Sequence, residues 1–205
     1  MLFRSGRGVV VDPGMSDSVE EGRFERDVAA AGVEVVGCWL THAHLDHVAG
    51  ADFVARRYGC VPELAAADAV TYRQAPLAGR VYGFDIGELP EPVLHDWAGR
   101  QSWRALDDLF EVRFAPGHAP GHVVFVHHGA RWVLAGDVLF RESVGRTDLP
   151  GGDARLLCAS IERELYDLPD DFAVHSGHGP STTIGHEKAR NPFVNASGTG
   201  MLQRP

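Results

Sequence analysis

Between positions 41 and 47 the chain reads Thr41-His42-Ala43-His44-Leu45-Asp46-His47, and no other stretch restricts its possible folds so tightly. It lies at the exit of an apolar run of strand length, 33–40. After it, Val48, Ala51, Val54, Ala55 and Tyr58 recur at helical spacing before Gly59, a residue suited to a left-handed helix stop. The spacing predicts a helix beginning at Asp46. Three imidazoles and a carboxylate crowded into a partly buried strand-to-helix turn would desolvate several lone pairs, a cost that zinc or iron removes by binding them. In extended backbone His42 and His44 point the same way, whereas the incoming helix turns Asp46 and His47 elsewhere, so the pattern suggests two ions. A lone histidine is ordinarily a hydrogen-bonded core or surface residue. Four donors within six positions reverse that reading.

Of the eleven histidines, seven fall into three clusters, each after an expected strand: this one, His118 with His122, and His175 with His178. Strands are expected at 9–11, 33–40, 110–114, 122–126, 132–134 and 172–174, alternating with helical patterns, which places the chain in the α/β class. In Pro116-Gly117-His118-Ala119-Pro120-Gly121-His122 the Gly and Pro residues can hold a ligand in a rigid turn. Gly136-Asp137 closes the strand at 132–135, and Gly177-His178-Gly179 follows the last one. Each of these is weak alone, since a strand-end Asp more often caps a turn. Ser16 or Ser18 can cap a helix carrying Phe24, Val28 and Ala31 and ended by Gly32, and Leu157, Ile161 and Leu165 mark another after Gly152. Residues 74–102 show no clean period and read as a long surface excursion.

Composition narrows the function classes. With 44% hydrophobic and 23% charged residues among 205, the chain can bury a sizeable core, and Gly and Pro are spread too evenly for a linker or repeat. We expect one domain over 1–194 and a disordered tail over 195–205. No apolar run reaches the roughly 18 residues a bilayer needs, and arginines occupy the start, so neither a membrane nor a secreted protein is expected. Cys38, Cys60 and Cys158 lie far apart without a CxxC, which removes a disulfide framework and a thiolate zinc site and favours a reducing cytoplasmic setting. A net charge of −9 disfavours nucleic acid.

The motifs Asp12-Pro13-Gly14, THAHLDH at 41–47, PGHAPGH at 116–122, GD at 136–137 and GHG at 177–179 occur in the order of the metallo-β-lactamase-fold hydrolases, which the chain resembles over nearly its whole length. It is most similar to the short, single-domain glyoxalase-II-like branch, through VGRTDLPGG at 144–152, GPSTTIG at 179–185 and Asn191-Pro192-Phe193. The resemblance implies a four-layer αββα sandwich with metals at one edge. It assigns His42, His44 and His118 to a first ion, Asp46, His47 and His178 to a second, and Asp137 as the bridge between them. Asp12 and His122 would stand behind the ligands, Asp12 orienting a ligand His, while Thr41, Arg146 and Asp148 would be structural. No cysteine lies where some β-lactamases of the family carry one. Only eight residues precede Val9, so the first strand is expected to be shortened or absent, leaving a sheet edge exposed.

What the resemblance further implies is hydrolysis of a small acyl thioester, as in hydroxyacylglutathione hydrolase, by a hydroxide bridging two divalent ions. Zinc is expected, and the same donors accept iron or manganese. A thiolate leaves without protonation, and no dedicated acid is visible. Full glyoxalase II enzymes add a helical domain that grips glutathione, so weak binding and tolerance of varied thiols are expected here. The alternatives are a persulfide dioxygenase with one iron in the same fold, a nuclease disfavoured by charge, and a metal-binding module without catalysis. His95, His127, His128 and His186 receive no role, and His175 matches no ligand and reads as a strand residue near the site.

Overall fold

The computed structural model describes residues 2–4 and 6–203. The chain divides into two compact units, residues 1–96 and 97–205. The first runs through β1 (Leu2–Arg4), β2 (Arg7–Val11), α1 (Ser18–Ala31), β3 (Glu34–Trp39), α2 (Leu45–Val48), α3 (Ala51–Tyr58), β4 (Pro62–Ala65), α4 (Ala69–Tyr82) and β5 (Val93–His95). Its sheet has the order β1-β2-β3-β4-β5, antiparallel at the first pair and parallel thereafter. Parallel neighbours cannot be joined by a tight turn, so α1, the α2–α3 pair and α4 serve as the crossovers. The edge of β2 expected to stand exposed is covered instead, by the three-residue β1 paired antiparallel with it.

Helix ends follow side-chain chemistry. Asp17, not Ser16 or Ser18, caps α1, its carboxylate accepting from the Val19 and Glu20 amides, while Gly32 closes α1 and Gly59 closes α3 in left-handed conformation. The helix expected from Asp46 is broken into α2 and α3, with Gly50 between them packed against Met15. The segment 74–102 is a correction. Its first part is α4, which carries Pro76 internally, and β5 follows, because buried Tyr72, Ala75 and Gly79 seat the helix on Leu40, Ala43, Val48 and Leu64. A second apolar cluster joins Val10, Val28, Val35, Cys38, Phe53 and Val54.

The second unit contains β6 (Arg100–Ala105), β7 (Asp108–Phe114), β8 (Val123–His127), β9 (Trp132–Gly136), β10 (Leu139–Phe140), β11 (Ser143–Val144), α5 (Ala154–Ser160), β12 (Ala173–Ser176), β13 (Thr182–Thr183) and α6 (Ile184–Arg190). A π-helical turn, Ile161–Leu165, extends α5. The sheet order is β13-β12-β9-β8-β7-β6, with an antiparallel meander from β6 to β9 and β12 parallel to β9. Val124, Val126, Val133, Leu157, Ile161, Phe172 and Val174 are among its fully or nearly fully buried side chains. The segment from Asn195, expected as a disordered tail, instead carries ordered contacts as far as Gln203. The amides of Met201 and Leu202 donate to the Pro192 and Phe193 carbonyls, and Gln203 accepts from the Asn195 amide. Residues 204 and 205 lie outside the described residues. No described helix is long and apolar enough to cross a membrane.

One buried polar group holds much of this unit's C-terminal half. Glu187, fully buried in α6, accepts from the Glu142 amide at 2.9 Å, Asn191 Nδ2 at 2.8 Å and Thr182 Oγ1 at 2.5 Å. Removing the carboxylate strands three donors, two of them on buried residues. Glu187→Ala is therefore expected to cost about 3 kcal/mol and to lower the melting temperature by roughly 6–12 °C. Glu187→Gln should recover less than half of that, since its amide turns one acceptor into a donor facing other donors. Thermal unfolding followed by circular dichroism checks both.

Candidate metal centre

In the first unit the donor-rich turn leaves β3 and enters α2, as the sequence predicts. His42 and His47 are buried, His44 half-buried and Asp46 exposed. The rings of His42 and His44 stand 4.8 Å apart and those of His42 and His47 4.1 Å apart. Behind them, Asp12 accepts from the Thr41 amide and from Thr41 Oγ1, both at 2.7 Å, and its Oδ2 lies 3.1 Å from His47 Nδ1. Because the Thr41 hydroxyl gives its proton to Asp12, Thr41 Oγ1 is left to accept from His42 Nδ1 at 3.0 Å. That leaves the Nε2 lone pair of His42 for a ligand. Asp12 sits at a positive φ of 50°, and Gly14 is needed beside it, since a Cβ there would lie 2.3 Å from the Asp46 carbonyl oxygen. The Asp-Pro-Gly motif thus serves the turn by close backbone approach as well as by its carboxylate.

The second unit assembles its own donors from three loops. His118 follows β7, Asp137 follows β9 and His178 follows β12. Asp137 Oδ2 stands 3.6 Å from His118 Nε2 and 3.6 Å from His178 Nε2. His118 Nδ1 must donate to the Arg146 carbonyl, 2.8 Å away, because a carbonyl offers no proton, so its Nε2 presents a lone pair. His122 is committed otherwise, its Nε2 accepting from the Asp137 amide at 3.0 Å, which holds the backbone that carries the carboxylate.

These distances suit coordination better than hydrogen bonding. At 3.6 Å the two contacts to Asp137, and at 3.7 Å the one between His47 Nε2 and Asp46 Oδ2, exceed hydrogen-bond range. They approach the edge of about 3.3 Å that separates neighbouring ligands of a tetrahedral ion with bonds of 2.0–2.1 Å. The ligand atoms of Asp12, His42 and His47 also lie within 4.8 Å of one another. The residues present therefore fit divalent cations. Burial pushes the thiols of Cys38, Cys60 and Cys158 up, away from the thiolate a metal would need.

Other predicted positions resolve by their contacts. Arg146 pairs both oxygens of Asp148 and holds that exposed carboxyl down to about 2. His175 is exposed on β12 beside Ser181, and His95, His127, His128 and His186 each meet a carboxylate: Glu63, Asp108, Glu111 and Glu142. The sequence reading missed Asp68. Fully buried after β4, it accepts from the Ala43 amide at 2.7 Å and so fixes the backbone between His42 and His44. A single Asp behind three alanines carries no pattern that could have revealed it.

Comparison with known proteins follows the same lines. A family model described as the metallo-beta-lactamase superfamily matches residues 1–178. "Hydroxyacylglutathione hydrolase GloC" of Haemophilus influenzae is 33% identical over 189 residues, covering 91% of this chain and 87% of its own. The crystal structure of BLEG-1 B3 metallo-beta-lactamase aligns with a TM-score of 0.83 at 31% identity, over 95% of this chain and 91% of that one. That of TTHA1623 in a di-iron-bound form aligns with a TM-score of 0.79 at 39% identity, over 90% and 88%.

Proposed function

The chain belongs to the metallo-β-lactamase superfamily, and on that premise we propose that it is a dinuclear metal-dependent hydrolase of small acyl thioesters, of the hydroxyacylglutathione hydrolase kind. The observation that carries this reading is the shared carboxylate, Asp137 Oδ2 at equal distance from His118 Nε2 and His178 Nε2. By the family resemblance, His42, His44 and His118 would hold one ion and Asp46, His47 and His178 the other, with Asp137 serving both. Zinc suits the donors, and the di-iron form of TTHA1623 makes iron the first alternative.

Two such ions would supply activated water and polarise the scissile carbonyl. The chain's own residues supply orientation. Thr41 and the Arg146 carbonyl fix the tautomers of His42 and His118, so each ring offers Nε2 without a proton to lose. Asp12 steadies His47, and His122 steadies Asp137. Exposed Asp46 would accept a hydrogen bond from the activated water. A thiolate departs unprotonated, so the reaction asks for no acid beyond these residues.

The test is release of free thiol from S-D-lactoylglutathione and from a simple acetyl thioester, with protein loaded in turn with zinc, iron and manganese. Thiol release that stops on chelation and returns with metal is expected. Turnover only of a chromogenic cephalosporin would overturn the reading, as would oxygen consumption with glutathione persulfide while thioesters stay intact. The hydroxyacylglutathione hydrolase activity for which GloC is named favours the thioester over both.

A further inference from the structure

We propose that Tyr82 and Phe84, at the C-terminal end of α4, form an apolar wall beside the metal turn that takes a bulky apolar acyl group, so that the preferred thioesters of this chain carry an aromatic or similarly large acyl portion. The inner side of α4 runs through Tyr72, Ala75 and Gly79, all buried. Tyr82 stands one turn beyond Gly79 and within about 20° of Ala75 at 100° per residue, on that same side. A surface helix ordinarily covers its apolar side with the core. Here the last turn does not: Tyr82 is 64% exposed, and Phe84, two residues on, is 48% exposed.

Gly79 shows what lies next to them. A Cβ at that position would stand 3.4 Å from Leu45 Cδ1, 2.9 Å from the Phe84 carbonyl oxygen and 3.7 Å from Ile86 Cγ1. The end of α4, the chain that follows it and Leu45 therefore meet at one point. Leu45 sits between His44 and Asp46, the two donors of the turn that are not buried. The wall is also held in place. Gly83 closes α4 in left-handed conformation and folds the chain back, the Phe84 amide donates to the Gly79 carbonyl at 2.8 Å, and Ile86 is buried with Leu40, Leu64 and Tyr72. Two exposed aromatic side chains thus stand on a closed helix end with a buried anchor, beside the solvent-facing donors.

The charges around the wall select which part of a thioester it takes. Asp85 and Glu88 follow Phe84 in the chain, and both are exposed. They repel a thiol portion that carries carboxylates, as a glutathione-type thiol does, and they are indifferent to an uncharged acyl group. Aromatic rings meet a third ring in offset or edge-on contact. Apolar contacts of this kind separate substrates by about 10- to 200-fold per methylene in a closed pocket, and an open wall belongs at the lower end of that range. An acetyl group is too short to cover two rings. The inference rests on the thioester reading above and adds to it the class of acyl group.

Acyl thioesters of one neutral thiol, N-acetylcysteamine, test it on the full, metal-loaded chain. Wild type should show a kcat/KM at least about tenfold higher for the phenylacetyl than for the acetyl thioester. The double variant Tyr82→Ala, Phe84→Ala should raise KM for the phenylacetyl thioester about tenfold and for the acetyl thioester less than about threefold, the loss falling on KM because the contacts are alike in ground and transition states. Leu77→Ala, exposed about 140° around the helix from Tyr82, should keep the wild-type values. A second readout needs no turnover. With 3-fluorotyrosine at the four tyrosines, the Tyr82 resonance, assigned by its loss in Tyr82→Phe, should shift on titration with the phenethyl thioether of the same thiol and stay in place with the ethyl thioether. Equal rises in KM for both thioesters, or a Tyr82 resonance that ignores the phenethyl compound, overturns the wall. A double variant that discriminates instead between the acetyl thioesters of benzyl and methyl thiols overturns its assignment to the acyl group. Wild type that releases no thiol from any thioester fails the hydrolase reading, and the fluorine titration then decides the wall alone.

Discussion

An Asp137→Ala variant is expected to lose metal and turnover together while keeping its fold. Asp137 is buried, and its Oδ2 faces both His118 and His178 at 3.6 Å. Without that oxygen each ion of the proposed centre would lack a ligand, and the site would lose a negative charge that offsets two cations. The backbone contact that positions the residue does not depend on the side chain, since His122 accepts from the Asp137 amide and the Gly136 carbonyl accepts from Gly177. Folding should therefore survive. We expect metal content after gel filtration to fall from two ions to one or fewer, and thioester turnover to drop by about 10³-fold. Asp137→Asn should fall between, since its amide oxygen can ligate without neutralising charge. His95→Ala, on β5 beside Glu63, should change neither quantity. Wild-type turnover in Asp137→Ala at matched metal content would remove the shared carboxylate from the mechanism.

Much of this was legible because the candidate donors fall in short motifs that sit where strands end. The strand at 33–40, the turn His42 to His47 and the Gly59 stop are all encoded within about 25 neighbouring residues, and each appears where the pattern predicts. The misses have a common cause, contacts distant in the chain. Pro76 and Gly79 read as breakers, yet α4 forms because its inner side packs on Leu40 and Leu64 from two other strands' ends. Asp68 reaches Ala43 across 25 residues and has no motif of its own. The stretch after Asn195 looks like a tail by composition, but Asn195 and Gln203 close it with side-chain to backbone bonds. Arg146 is the most instructive residue. Sequence marks it as part of a signature, and its guanidinium merely pairs with Asp148, whereas its carbonyl fixes the tautomer of His118. A pattern of side chains cannot announce a role played by backbone.

That distinction gives the Gly145→Ala variant a large expected effect from a single methyl group. A Cβ at position 145 would stand 1.9 Å from the Asp137 carbonyl oxygen and 2.8 Å from His118 Nδ1, so something has to move. The Asp137 backbone is the poorer candidate, tied by its amide to His122 and through the Gly136 carbonyl to Gly177. The 145–146 backbone must retreat instead, and it carries the Arg146 carbonyl with it. His118 then loses the acceptor that fixes its tautomer, and its Nε2 can take the proton that excludes metal. Overpacking of this kind should cost about 2–4 kcal/mol of stability, with metal affinity falling about 10–100-fold. Gly22→Ala supplies the contrast: in the middle of α1 the nearest atom to the added Cβ is the flexible end of Arg26 at 3.6 Å. Helix propensity alone should make that variant more stable, by roughly 0.5–1 kcal/mol, with metal binding unchanged. Competition with a chromogenic chelator measures the affinities and thermal unfolding of metal-free protein measures the stabilities. Gly145→Ala holding metal as tightly as Gly22→Ala would show that His118 does not depend on the Arg146 carbonyl to present its lone pair.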